Sequence, residues 1–132
     1  MIEAKEDFNN TWPFKANFFS GNGFKQHYVD EGKENKKVIL CLHGEPTWGY
    51  IYRHFIRELS KDFRVVVPDL MGFGKSETPK NKEYSLKTHV ENLENLVNYL
   101  KLENIYFVGQ DWGGPILGAY TLRNLTNTKG MF

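Results

Sequence analysis

Gly109-Gln110-Asp111-Trp112-Gly113-Gly114 lies between Ile105-Tyr106-Phe107-Val108, an apolar run with the length of a buried strand, and Pro115–Leu125, whose composition predicts a helix with proline in its first turn. Small residues on both sides of Asp111 give the Gly-x-nucleophile-x-Gly form of a strand-turn-helix elbow. Such an elbow lifts one side chain above the carboxyl ends of the strands. Asp111 is then the candidate nucleophile. A carboxylate is nucleophilic at neutral pH without a general base, unlike a serine hydroxyl, and suits attack on an alkyl carbon that carries a good leaving group. The same spacing also reads as an aspartate capping the helix that follows.

Upstream of the elbow the chain alternates strand and helix. Val38–Leu42 is a further continuous apolar run, as expected of a strand covered on both faces, and Arg64–Val67 reads as another short buried strand. Between them, Ile51, Tyr52, Phe55, Ile56 and Leu59 fall at helical spacing over Gly49–Leu59. Ser85 is placed to cap a helix carrying Leu86, Val90, Leu93, Val97 and Leu100 on one face. The amino-terminal stretches Phe14–Ser20 and Phe24–Asp30, separated by Gly21-Asn22-Gly23, predict a β-hairpin. The pattern predicts an α/β fold: an antiparallel hairpin followed by parallel strands with flanking helices. At the other end, Asn124–Lys129 reads as a polar turn and Gly130-Met131-Phe132 as the start of a strand that does not continue. The expectation is therefore an incomplete fold with the outer edge of Ile105–Val108 unpaired, prone to aggregate alone.

The chain has 132 residues, with 17 Lys plus Arg against 16 Asp plus Glu and a formal charge of +1. That balance argues against a nucleic-acid binder or a polybasic membrane-surface protein, whose partners demand clustered positive charge. Hydrophobic residues at 40% and charged residues at 25% are those of a folding domain. Its length allows one domain. Cys41 is the single cysteine, so no internal disulfide or multi-cysteine metal site is available. The start, MIEAKEDFNN, has no apolar signal segment, and no run approaches a membrane span. A cytoplasmic location is expected.

Two further segments bear on chemistry. His43-Gly44-Glu45-Pro46-Thr47-Trp48 follows the Val38–Leu42 strand, the place from which an elbow enzyme draws one oxyanion-hole amide, the other coming from the residue after the nucleophile. Those are the backbone amides of Glu45 and Trp112. His43 reads as a turn-fixing residue, and the Glu45 side chain equally as a solvated loop carboxylate. In Pro68-Asp69-Leu70-Met71-Gly72-Phe73-Gly74-Lys75-Ser76, the Gly-Lys-Ser is not a phosphate loop, because Asp69 stands where its first glycine is required. These glycines instead let the loop pass under the site. His27, His54 and His89 lack metal-ligand spacing and read as surface or boundary residues.

Taken together, HGEPTW, PDLMGFGKS and GQDWGG, in this order and spacing, resemble the haloalkane dehalogenases of the α/β-hydrolase superfamily from about Trp12 onward. Gln110 before Asp111 favours that group, since epoxide hydrolases and fluoroacetate dehalogenases usually carry histidine there. The resemblance implies that Asp111 displaces halide from a haloalkane, that the Trp112 indole binds the departing halide, and that an alkyl ester forms. A histidine with an acidic partner then activates water, with the oxyanion held by the Glu45 and Trp112 amides. In the family that histidine, that acid and the helical cap lie beyond the elbow. Residues 1–132 are thus expected to be the amino-terminal part of a single catalytic domain that holds the nucleophile half only. Glu45 marks the subgroup whose second halide ligand is a cap tryptophan, whereas another subgroup has asparagine there. The implied partner is a small halogenated organic substrate, with no metal, organic cofactor, nucleic acid or membrane. The alternatives are an epoxide hydrolase-like enzyme, at lower weight a luciferase-type monooxygenase, and an inactive product with at most small-molecule binding.

Overall fold

A computed structural model describes residues 1–132. Six strands form one sheet: β1 (Asn17–Phe19), β2 (Gln26–Glu31), β3 (Val38–Leu42), β4 (Arg64–Pro68), β5 (Ile105–Gly109) and β6 (Thr128–Met131), in the order β1-β2-β4-β3-β5-β6. The pairs β1/β2 and β2/β4 are antiparallel, and β4/β3, β3/β5 and β5/β6 are parallel. Helices α1 (Arg53–Leu59), α2 (Leu86–Leu100) and α3 (Gly113–Arg123) connect the parallel strands. None is long and apolar enough to cross a membrane.

The continuous apolar strands are explained by cover on both faces. Val38, Leu40 and Leu42 of β3, Val66 of β4 and Ile105 and Phe107 of β5 pack with Val90, Leu93 and Val97 of α2 and Ile116, Leu117 and Tyr120 of α3. The alternate residues Ile39, Cys41, Val65 and Val67 meet Tyr52, Ile56 and Trp12 on the opposite face. Side chains of successive strand residues point to opposite faces, so each strand feeds both clusters. Each fully buried side chain of this size contributes about 1.5–3 kcal/mol.

Three elements differ from expectation. The Gly49–Leu59 helix is divided into a 3₁₀ turn, Gly49–Tyr52, and α1. That turn is tied down at both ends, since Gly49 N–H donates to Asp69 Oδ1 at 2.8 Å and the Tyr52 hydroxyl to the Leu42 carbonyl at 3.0 Å. Helix α3 starts two residues early, at Gly113, and stops before Asn124, whose side-chain amide donates to the Tyr120 carbonyl at 2.9 Å. The outer edge of β5, expected to be unpaired, is covered by β6: Tyr106 pairs with Gly130 and Phe107 with Met131, and the Gly109 amide donates to the Phe132 carbonyl at 2.9 Å. The turn after α3 is short enough to return the chain beside its own parent strand.

Beneath the carboxyl ends of the strands, Asp69 is fully buried. Its Oδ2 accepts from His27 Nδ1 and the Lys75 amide, both at 2.9 Å, while Oδ1 takes the Gly49 amide. His27, expected at the surface or boundary, is therefore a core residue on β2. A buried carboxyl group of this kind is tolerated only with its partners in place, so removing it strands three donors. Asp69→Ala is expected to lose about 3–5 kcal/mol in urea unfolding. Ser85→Ala, which removes the acceptor of the Thr88 amide at the start of α2, is expected to lose about 1 kcal/mol.

Candidate active site

Parallel neighbours β3 and β5 are in register through Leu42 and Gly109, so the segments leaving their carboxyl ends emerge side by side. Gln110 N–H donates to the Leu42 carbonyl at 3.1 Å, and the Gly44 amide reaches Gln110 Oε1 at 3.3 Å. The chain then turns sharply: Asp111 has φ +53°, in the left-handed region that a non-glycine residue enters only when its surroundings hold it there. The amides of Gly113 and Gly114 donate to the carbonyls of Gln110 and Asp111, each at 2.9 Å, and start α3.

Glycine is required on both strands' exits by contact. A Cβ on Gly113 would collide with the Leu42 carbonyl oxygen, and one on Gly44 with the Asp111 side chain. The backbones therefore approach closely enough for the Glu45 amide to donate to Asp111 Oδ2 at 2.9 Å. The Glu45 amide and then the Trp112 amide stabilise the ionised form and hold the Asp111 carboxyl below the usual aspartate range. The two amides named from the sequence thus converge on one carboxylate, and Asp111 itself is exposed.

The His43 ring is consumed by the turn. Its Nδ1 donates to the Gly44 carbonyl at 2.8 Å, and its Nε2 accepts the Leu70 amide at 2.9 Å, linking the β3 and β4 exits. Burial lowers the His43 imidazole, partly opposed by the Gly44 carbonyl and by Asp69. Beside the carboxylate, Glu45, Leu70, Tyr84, Ser85, Leu86, His89, Trp112 and Ile116 line a cavity of about 170 Å³. Asp111 itself opens onto the adjoining groove bounded by Trp112 and Pro115, and the half-exposed Trp112 lines both the groove and the cavity. The Glu45 side chain is exposed at the cavity wall. No three His, Cys, Asp or Glu side chains converge as a metal site.

A sequence model described as the α/β hydrolase fold matches residues 37–130, which include both strand exits and the elbow. The chain belongs to the α/β-hydrolase fold family. Among relatives in that family, haloalkane dehalogenase 2 of Mycobacterium tuberculosis is 38% identical over 120 residues, covering 91% of this chain and 41% of its own length. A cis-3-alkyl-4-alkyloxetan-2-one decarboxylase of Shewanella oneidensis is 40% identical over 114 residues, covering 84% of this chain and 35% of its own. The structure of haloalkane dehalogenase DpaA from Paraglaciecola agarilytica superposes with a TM-score of 0.86 at 37% identity, over 92% of this chain and 43% of that one. Epoxide hydrolase VrEH1 from Vigna radiata superposes with 0.82 at 30% identity, over 89% and 39%. The chain spans about 41% of the length of the first of these relatives.

Sequence reasoning used Asp69 only to reject a phosphate loop and read His27 and His89 as surface or boundary residues. His54 is exposed and His89 half-buried, as expected, and His89 lines the cavity. Asp69 was legible as the residue directly after a strand and five before Gly74, whose Cβ would meet its carboxyl group. If the amides set the Asp111 ionisation, its carboxyl, followed by NMR, titrates below an ordinary aspartate. In Gly44→Ala the new methyl displaces it from those donors, and the midpoint rises toward the ordinary value. An unchanged midpoint would show that the amides do not govern it.

Proposed function

We propose that this chain carries the nucleophile half of a hydrolytic haloalkane dehalogenase, acting through an aspartyl alkyl ester. The observation that carries the reading is the Glu45 amide on Asp111 Oδ2 at 2.9 Å, at a left-handed elbow. In the proposed first step, the free carboxylate oxygen attacks the carbon bearing the halogen. The C–O bond forms as the carbon–halogen bond breaks, and its electron pair leaves with the halide toward the Trp112 indole N–H. The oxygen already held by Glu45 becomes the ester carbonyl oxygen. When water attacks the ester carbon, negative charge develops on that same oxygen, where the Glu45 and Trp112 amides form the oxyanion hole. The depressed ionisation of Asp111 supports its role, because the carboxylate is present well below neutral pH.

The second step needs a base, and no histidine among these residues is set up as one. His43 has both ring nitrogens engaged, and His27 is sealed against Asp69. We therefore assign residues 1–132 to the amino-terminal part of one catalytic domain, with water activation supplied by residues outside it. Near-zero net charge fits an enzyme for small neutral molecules better than one for nucleic acid or membrane surfaces.

Incubation of the chain with a primary bromoalkane is expected to give one alkyl adduct and one bromide per chain, without further turnover. Mass spectrometry should place the adduct on Asp111, and Asp111→Asn should abolish it. Multiple bromide equivalents per chain would contradict this assignment. Reaction with a terminal epoxide but not with the bromoalkane would favour the epoxide hydrolase-like alternative.

A further inference from the structure

His89, in the first turn of α2, is a histidine of the cavity wall that the reaction above leaves unused, and it shares that wall with Trp112, Glu45, Leu70 and Ile116. Its Nδ1 is buried and has no hydrogen-bond partner. Nε2 is not among the buried unpartnered atoms and has no hydrogen-bond partner within the chain, so on this cavity-lining residue it is the ring nitrogen open to a ligand. An orphaned buried N–H is rarer than an under-satisfied acceptor, so the ring proton belongs on Nε2. A general base needs the reverse arrangement, with Nδ1–H held by an acceptor and Nε2 bare. His89 is built as a donor. Burial keeps its imidazole below the ordinary histidine range, against the raising field of Glu45, so the ring is neutral at neutral pH.

We propose that the His89 Nε2–H donates, together with the Trp112 indole N–H, to the leaving atom of the substrate, which makes His89 a catalytic residue for carbon–halogen cleavage. The assignment rests on the dehalogenation reading above. As that bond breaks, its electron pair and the negative charge pass to the halogen, and hydrogen bonds to an anion are stronger than those to a neutral acceptor. The Glu45 carboxylate on the same wall opposes an anion, so a neutral donor beside the indole counts for more. Chloride, smaller and more charge-dense than iodide, gains most from the donor.

The test uses the whole 132-residue chain. In Asp111→Asn, which cannot be alkylated, sodium bromide is titrated while NMR follows the nitrogen-labelled imidazole of His89. The Nε2–H resonance is expected to move saturably with bromide. In single-turnover halide release from the otherwise unchanged chain, His89→Phe should slow 1-chlorohexane by about tenfold, as for the loss of one hydrogen bond to a charged group. It should slow 1-iodohexane by less than about threefold, and His89→Gln, which keeps an N–H, should recover most of the chloride rate. A resonance unmoved by bromide overturns the proposal, as does one that moves only on Glu45→Gln, which would make Glu45 the acceptor. Equal slowing of both substrates, with no recovery by Gln, also overturns it by showing a packing role. If bromide moves the resonance but no substrate is dehalogenated, the dehalogenation reading fails while the donor stands.

Discussion

The Asp69 carboxyl group ties together three segments that leave different elements of the fold. One buried side chain accepts from His27 on β2, from Gly49 at the start of the 3₁₀ turn and from Lys75 in the loop after β4. The neighbouring Leu70 amide binds His43, so the β4 exit also fixes the β3 exit. The amino-terminal segment joins the same assembly, because the buried Lys75 Nζ donates to the carbonyls of Ala4 and Glu6 at 2.8 and 2.6 Å. In a low-dielectric interior an unpaired group of this kind is costly, so the loops are held to one arrangement.

That rigidity is what the elbow needs. A left-handed Asp111 is strained by itself, and it persists because Gly44, Gly109 and Gly113 let two strand exits close upon it. The strain leaves the carboxylate exposed on one side and gripped by backbone amides on the other. Both donors lie just beyond paired parallel strands, so the sheet fixes where they meet the carboxylate.

The two faces of the sheet differ in completeness. On the α2 and α3 face, Ile105 and Phe107 of β5 are fully buried, whereas Tyr106 and Val108 on the other face are only partly covered. With Ile39, Phe63 and Phe132 they line an apolar hollow of about 310 Å³. The exposed edge has moved outward to β6, where Met131 and Phe132 are exposed.

Much of this was legible in the chain itself. Apolar runs of three to five residues marked β3, β4 and β5, and the helical spacing and Ser85 marked α2, because burial and capping impose local periodicities. The elbow glycines marked Asp111 and, through it, the Glu45 and Trp112 amides. Other features have no local signature. The burial of His27, the hub at Asp69, the cavity-facing ring of His89 and the pairing of β6 with β5 each depend on which segments pack together. His27 and Asp69 lie 42 residues apart and Gly49 and Asp69 20 apart, and side-chain periodicity carries no information about such pairings. Residue types and spacing determined which chemistry was available to this protein; packing decided which groups were sealed, which were paired and which line the cavity, because those outcomes depend on solvent exclusion by distant parts of the chain.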